Sequence, residues 1–294
     1  MKTLIFINPA SAGGKAIASR DEIALELDNL GVDYTIHITT SLEDLTRTIK
    51  EKLDSDYSNF VAVGGDGTLH HMVNVLAGSN KNLGIIPMGS GNDIAVNLGI
   101  PSDIKKCCKI IKEQNVKKLD LGLINDSSYY LCIAGSGFDS EVNDLANNTK
   151  YPIKGPSKYT YSVYKTLLTF QSKEFTVTCN GSKRNIYGMM IACANLPSYG
   201  GGMKITPDAS PSDGLFDICI IKKMSKIHFI KVFPKVFEGK HTDDPNVEIF
   251  RTREMKLESN YDFSVFADGE YICKLPAVFK VAPGKLNFLL PAPL

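Results

Sequence analysis

Three times within its first 93 residues the chain passes from an apolar run into a glycine-rich turn and then toward a helix-like segment. Leu4 to Lys15 reads LIFINPASAGGK. Asn59 to Val63 (NFVAV) leads into Gly64-Gly65-Asp66-Gly67-Thr68 and then LHHMVNVLAG. Leu83 to Ala95 reads LGIIPMGSGNDIA. Apolar runs alternating with helical segments are the pattern of βαβ units. Three such turns are therefore expected at the carboxyl edge of one parallel sheet, where α/β proteins bind their ligands.

The turns also state a chemistry. A helix N-terminus presents backbone N–H groups to an anion, and glycine lets that backbone come close because no Cβ intervenes. Asp66 is the odd member. A carboxylate beside a phosphate repels it unless a divalent cation bridges the two, so the middle turn reads as phosphate plus Mg²⁺, hence nucleotide. None of the three turns has the P-loop or the Rossmann spacing. A look-alike, AGSGFDS (Ala134 to Ser140), has the wrong spacing and no βαβ unit around it.

At 294 residues the chain is expected to form about two domains of roughly 100–200 residues each. A net charge of +1, from 33 basic and 32 acidic residues, gives no electrostatic ground for nucleic acid as a partner. Seven cysteines, an odd number with no C-x-x-C, argue against a disulfide framework and a structural zinc site. The apolar part of MKTLIFINPA is too short for a signal peptide, and no stretch reaches the ~20 apolar residues that span a bilayer. The expected location is cytoplasmic, with peripheral membrane contact during turnover.

The first 124 residues alternate strand and helix. Strands are expected at Thr3–Ile7, Asp33–Ile38, Phe60–Val63, Leu83–Ile86 and Lys117–Ile124. Helices are expected after Lys15, at Leu42–Leu53, after Thr68, at Ile94–Leu98 and at Asp103–Gln114, the last capped by Ser102. Beyond Ile124 short alternating runs follow one another: YYLCIAG, EFTVTCNG, IYGMMIACAN, LFDICIIKK, YDFSVFADGEY and KLPAVFKVAPGKLNFLL. They point to an antiparallel sandwich or barrel, interrupted by helical segments near Lys158–Phe170 and Ile227–Phe237. The fold class is α/β plus all-β. A doubly wound parallel-sheet domain (1–124) precedes a β-sandwich domain (125–294), with the extreme C-terminus able to pack back on the first. The expected active site is the cleft between them.

NPxSxxGK, GGDGTL, GSGND, YGGGMKITPDASPSDGLFD and ADGE occur here in the order of the diacylglycerol kinase catalytic family, which the chain resembles over nearly its whole length. That family is related to sphingosine and NAD kinases. The tail motifs set the lipid-kinase branch apart, because GGDGT-like turns also occur in NAD kinases and phosphofructokinases. The resemblance implies an ATP- and Mg²⁺-dependent kinase whose acceptor is a lipid hydroxyl, most like the soluble diacylglycerol kinases. The rivals are another acceptor (a sphingoid base, phosphatidylglycerol or NAD), or a non-catalytic nucleotide- or lipid-binding protein of the same fold.

Phosphoryl transfer needs phosphate positioning, charge neutralisation and a base near the acceptor hydroxyl. The resemblance assigns the base to Glu270 in FADGEY, and its place after an apolar strand suits partial burial, which raises a carboxyl pKa. Asp268, on the same turn, either supports a metal or caps the turn. Asp93 and Asp120 match aspartates that share a water and Mg²⁺ network with Asp66. Asp120 stands in KKLDLGL, where a charge is costly unless paired, hydrated or metal-linked. Asp213 matches the loop of a structural Mg²⁺ site, with Ser210 and Leu215 carried over as backbone ligands. The nucleotide contacts are Asn8, Ser11, Lys15, Thr40, Gly64, Gly65, Gly67, Thr68, Ser90 and Asn92. Two departures stand out: His71 takes the place of a usual Glu, and Ala12 that of a frequent Gly. Asn147–Phe170 reads either as a lipid entrance or as a core-packed helix with a solvated face. An edge strand is able to pair two copies into a homodimer.

Overall fold

A computed structural model describes residues 1–148 and 156–292. The chain forms two compact units, Met1–Asp120 with Pro283–Leu294, and Leu121–Ala282. Residues 149–155, in the first half of the expected lipid entrance, lie outside the described residues.

The first unit runs β1 (Lys2–Ile7), α1 (Lys15–Ala18), α2 (Arg20–Asn29), β2 (Tyr34–Ile38), α3 (Leu42–Lys52), β3 (Tyr57–Gly64), α4 (Asp66–Leu76), β4 (Asn82–Pro87), α5 (Asp93–Asn97), α6 (Ile104–Glu113) and β5 (Val116–Ile124). Parallel pairing joins β2 to β1, β1 to β3 and β3 to β4. The far side of β4 is closed by the end of β15 (Ala277–Leu289), with Phe288 opposite Leu83. β1, β3 and β4 are buried almost throughout, as strands covered on both faces must be. Edge strand β2 has no buried residue. Phe6, Phe60, Ile5 and Ile7 are fully buried, each stabilising the unit by about 1.5–3 kcal/mol. Asp103, not Ser102, caps α6: its extended backbone lets the carboxylate accept from Lys106 N at 2.9 Å.

The second unit continues with β6 (Ser128–Tyr130), β7 (Ile133–Gly137), α7 (Phe138–Asn148), α8 (Pro156–Thr169), β8 (Lys173–Cys179), β9 (Ser182–Ala194), β10 (Phe216–Lys222), α9 (Lys226–Val232), β11 (Val247–Thr252), β12 (Glu254–Glu258), β13 (Ser264–Ala267), β14 (Glu270–Lys274) and the start of β15. Its pairings are antiparallel. The long β9 takes part in several: its first half pairs with β8, while its second half lies between β7 and β10. A strand that changes partners along its length is how the sheets of a sandwich share a corner. Aromatic rings fill the space beneath, with Phe175 stacked on Phe263 at 5.0 Å and Phe138 edge-on to Phe170 and Phe229.

Candidate active site

In the first unit the three glycine turns close on one another. The turn after β1 reaches the turn after β3 through side chains: Asn8 Nδ2 donates to Thr68 Oγ1 at 3.0 Å. A methyl built on Gly64 would lie 3.0 Å from Thr68 Oγ1 and 3.2 Å from Ser11 Oγ, so both hydroxyls stand over that glycine. The turns after β3 and β4 meet backbone to backbone. A methyl on Gly89 would fall 2.5 Å from the Cα of Gly65, closer than any side chain allows. Asn92, in the left-handed region at φ 56, ties its own turn by accepting from Gly89 N at 2.7 Å and donating to Gly89 O at 3.0 Å. Exposed Ser90 stands between them at the turn tip.

Asp66 links two turns. Its carboxylate accepts from Asp93 N (3.1 Å) and Ile94 N (3.2 Å), capping α5 from a different helix. One oxygen each of Asp66 and Asp93 lies 3.4 Å from the methyl position of Gly91, so two carboxylates flank one glycine. Hard oxygen donors in this arrangement fit Mg²⁺.

The first turn carries strain that the sequence hinted at. Ala12, Gly13 and Gly14 all lie in the left-handed region, at φ 51, 66 and 97. An L-residue there costs about 1–2 kcal/mol, which accounts for the glycine usual at Ala12 in the resembling family. Ala12→Gly is expected to stabilise the protein by about 0.5–1 kcal/mol, net of the unfolded chain's added freedom, as chemical denaturation would register. Lys15 follows, exposed at the start of α1.

Thr40 and Asp120 each take part in a hydrogen bond that involves the main chain. Thr40 N donates to Asp44 Oδ2 at 3.1 Å, and Asp44 also accepts from Arg47 and meets His37. The Thr40 amide, then the His37 ring, hold the Asp44 carboxyl down at about 2. Asp44 is a hub that sequence reasoning missed, since DxxR on a helix reads as a surface pair. Asp120 is 4% exposed and accepts from Gly284 N at 2.7 Å. Its buried charge therefore has a main-chain partner.

In the second unit the β13–β14 hairpin holds Asp268 and Glu270. Asp268, at φ 52, accepts from Leu131 N, Cys132 N and Ile133 N at 3.0, 2.8 and 3.3 Å. Its carboxylate thus clamps the turn to the β6–β7 junction. Glu270 opens β14, pairs with Ala267 and is half-buried. Asp213 is exposed and accepts from Leu215 N at 3.0 Å, near half-buried Ser210. Just beyond, on β10, Asp217 is 3% exposed and paired with Arg251 at 3.0 Å, with its Oδ2 lacking a partner. Burial pushes its carboxyl up despite the guanidinium. Among the described residues no cluster of three or more Asp, Glu, His or Cys is arranged around one point.

Sequence reasoning also missed an apolar cavity of about 40 Å³ inside the second unit, lined by Phe138, Val163, Met203, Phe229 and Phe233. Two polar groups enter its wall. Asp139, set by the AGSGFDS look-alike at the start of α7, accepts from Tyr199 Oη at 2.8 Å. His241 is fully buried; its Nε2 donates to Ile205 O at 3.1 Å, leaving Nδ1 without a partner. Burial lowers its pKa, so the folded ring resists a proton that the unfolded ring accepts. Its contribution to stability is thus complete above the ordinary value of about 6.5 and is lost as pH falls below it. Denaturation midpoints across that range should fall on acidification, and His241→Gln should flatten the decline.

Residues 2–124 match the family described as diacylglycerol kinase catalytic domain, and residues 132–290 the YegS C-terminal NAD kinase beta sandwich-like domain. Over 296 residues the chain is 31% identical to a diacylglycerol kinase of Mycobacterium tuberculosis (strain ATCC 25618 / H37Rv), covering 99% of this chain and 95% of that protein. The chain belongs to the diacylglycerol kinase family. A diacylglycerol kinase of Bacillus subtilis (strain 168) is 30% identical over 281 residues, 94% of this chain and 91% of that one. A crystal structure of a diacylglycerol kinase from Bacillus anthracis str. Sterne superposes with a TM-score of 0.78 at 22% identity, over 99% of this chain and 97% of the other, and shows the same fold. This diacylglycerol kinase family member is therefore an enzyme of the lipid-kinase type. Its catalytic-domain match spans all three glycine turns; its sandwich match spans the Glu270 hairpin. No helix among its described residues is long and apolar enough to cross a membrane.

Proposed function

We propose that the enzyme transfers the γ-phosphate of ATP to the free hydroxyl of diacylglycerol, giving phosphatidic acid. The observation that carries this reading is the mutual closure of three turns from β1, β3 and β4, with the Ser11 and Thr68 hydroxyls over Gly64 and the Gly89 turn packed against Gly65. Such a cradle suits a chain of phosphates. Asn8, Ser11, Thr68, Ser90 and Asn92 would hold them, with Lys15 as a mobile point charge and Thr40 at the nucleoside side. Asp66 and Asp93 would hold Mg²⁺, which supplies neutralisation of charge on the transferring phosphoryl group. Asp213, with carbonyls of Ser210 and Leu215, would hold a second, structural ion.

Glu270 takes the hydroxyl proton as the acceptor oxygen bonds to the γ-phosphorus and the bond to the β–γ bridging oxygen breaks; ADP leaves with that electron pair. The apolar lining around one carboxylate–hydroxyl pair, Asp139 and Tyr199, suits a lipid acceptor better than a soluble one such as NAD. Incubation with γ-labelled ATP, Mg²⁺ and a mixed membrane-lipid extract tests the reading. Label in phosphatidic acid is expected; label in NADP from added NAD, or in no lipid, would overturn it.

A further inference from the structure

Asp44 holds more than the start of a helix needs. It is the third residue of α3, whose first turn is already served by Ser41: the Ser41 hydroxyl accepts from Asp44 N at 3.1 Å. A carboxylate at that position ordinarily reaches back to the N–H of the capping residue itself. Asp44 reaches one residue farther, where its Oδ2 accepts from Thr40 N at 3.1 Å. The same oxygen meets His37 Nε2 at 2.9 Å, and Oδ1 accepts from Arg47 Nη2 at 2.7 Å. The Asp44 side chain is only 10% exposed, unlike that of Arg47 at 68%. The His37 ring in turn stands edge-on to fully buried Phe6, 5.7 Å between centroids, which anchors the group to β1.

The place of Thr40 gives that hold a purpose. Beside it, Thr39 donates to Ile7 O from both its N–H (2.9 Å) and its hydroxyl (3.2 Å). Ile7 precedes Asn8, which donates to Thr68 in the middle glycine turn. A continuous run of bonds thus leads from that turn to the end of β2 and finishes on Asp44. Thr40 itself is exposed. With its N–H given to the Asp44 carboxylate, the hydroxyl is its remaining donor for a ligand. We infer that Asp44 is a positioning residue for the nucleoside end of ATP, fixing turn 39–41 so that Thr40 meets the nucleoside while the glycine turns take the phosphates. The inference rests on the nucleotide reading proposed above. A hydrogen bond to an ionised carboxylate is about twice as strong as one between neutral groups, so this hold suits a turn that must keep its shape as ligand arrives and leaves.

Calorimetric titration with Mg²⁺ and either ATP or inorganic tripolyphosphate separates a nucleoside contact from a phosphate contact. The wild-type protein is expected to bind ATP more tightly than tripolyphosphate. Asp44→Ala should weaken ATP binding by about threefold to tenfold, the worth of one hydrogen bond, and leave tripolyphosphate affinity unchanged. Asp44→Asn, which keeps the side chain's shape and one acceptor oxygen, should fall between wild type and alanine, and it carries the test if the alanine variant does not fold. Arg47→Gln leaves the bond from Thr40 to Asp44 in place and should bind both ligands as wild type does. In steady-state assays the KM for ATP should rise in the Asp44 variants while the KM for dispersed diacylglycerol holds. Equal losses of ATP and tripolyphosphate affinity would make Asp44 merely structural and overturn the inference, as would unchanged ATP affinity in both Asp44 variants. A wild type that binds the two ligands equally also overturns it, yet leaves the phosphate-binding turns standing. A wild type that binds neither removes the nucleotide reading, and the role of Asp44 with it.

Discussion

Glu270→Gln is expected to lower kcat by about 10²–10⁴-fold, the usual worth of a positioned general base, with an unchanged melting temperature. The structural half of this expectation rests on what Glu270 does not hold. It starts β14, is half-buried, and its carboxylate has no hydrogen bond or ion pair with another described residue. The hairpin is fixed instead by Asp268, whose carboxylate gathers three main-chain N–H groups. Glutamine keeps the shape and removes only the ability to accept a proton. Single-turnover assays with saturating ATP and dispersed diacylglycerol would read the chemical step directly. A variant as fast as wild type would remove Glu270 from the reaction.

Gly89→Ala should be the most damaging single methyl in the first unit. The added carbon would lie 2.5 Å from Gly65 Cα and 2.7 Å from Asn92 Oδ1. Two of the turns then cannot keep their approach, because a backbone atom has no rotamer to escape into. Overpacking of this kind costs about 1–3 kcal/mol. The larger loss should be in function, since a displacement of about 1 Å in a positioning group is worth about 10²-fold. Calorimetric titration with ATP and Mg²⁺, set beside a denaturation curve, separates the two. Wild-type nucleotide affinity in a folded Gly89→Ala protein would show that the meeting of these turns is irrelevant to binding.

The strands of the first unit were legible because a parallel strand buried on both faces has no choice but to be an apolar run, as Phe60–Val63 and Leu83–Ile86 are. The second unit hid more. β11 and β12 (VEIFRT, EMKLE) escape notice because their outward positions are charged, and cross-strand partners such as Arg184 with Glu248 become visible only after folding. The run YYLCIAG reads as one strand, yet Leu131 and Cys132 break it to offer their N–H groups to Asp268. Helix α7 was unread because FDSEVNDLANN is largely polar, and with it went Asp139. The AGSGFDS segment is no phosphate cradle, since β7 lies in antiparallel pairings. Among the site residues, the glycines carry their purpose in their letters. The bond from Asp66 to the α5 amides and the clamp of Asp268 depend on contacts 27 and 137 positions away, which no local pattern encodes.

The strand that closes the first unit's sheet beside β4 is synthesised only after the entire second unit. Until Pro283–Leu289 leaves the ribosome, the first unit keeps an open row of unpaired peptide groups along Leu83, a surface prone to wrong partners. Any shortened version that stops before Pro283 would carry that open seam permanently. Severing this chain into two consecutive pieces therefore cannot yield an intact first unit.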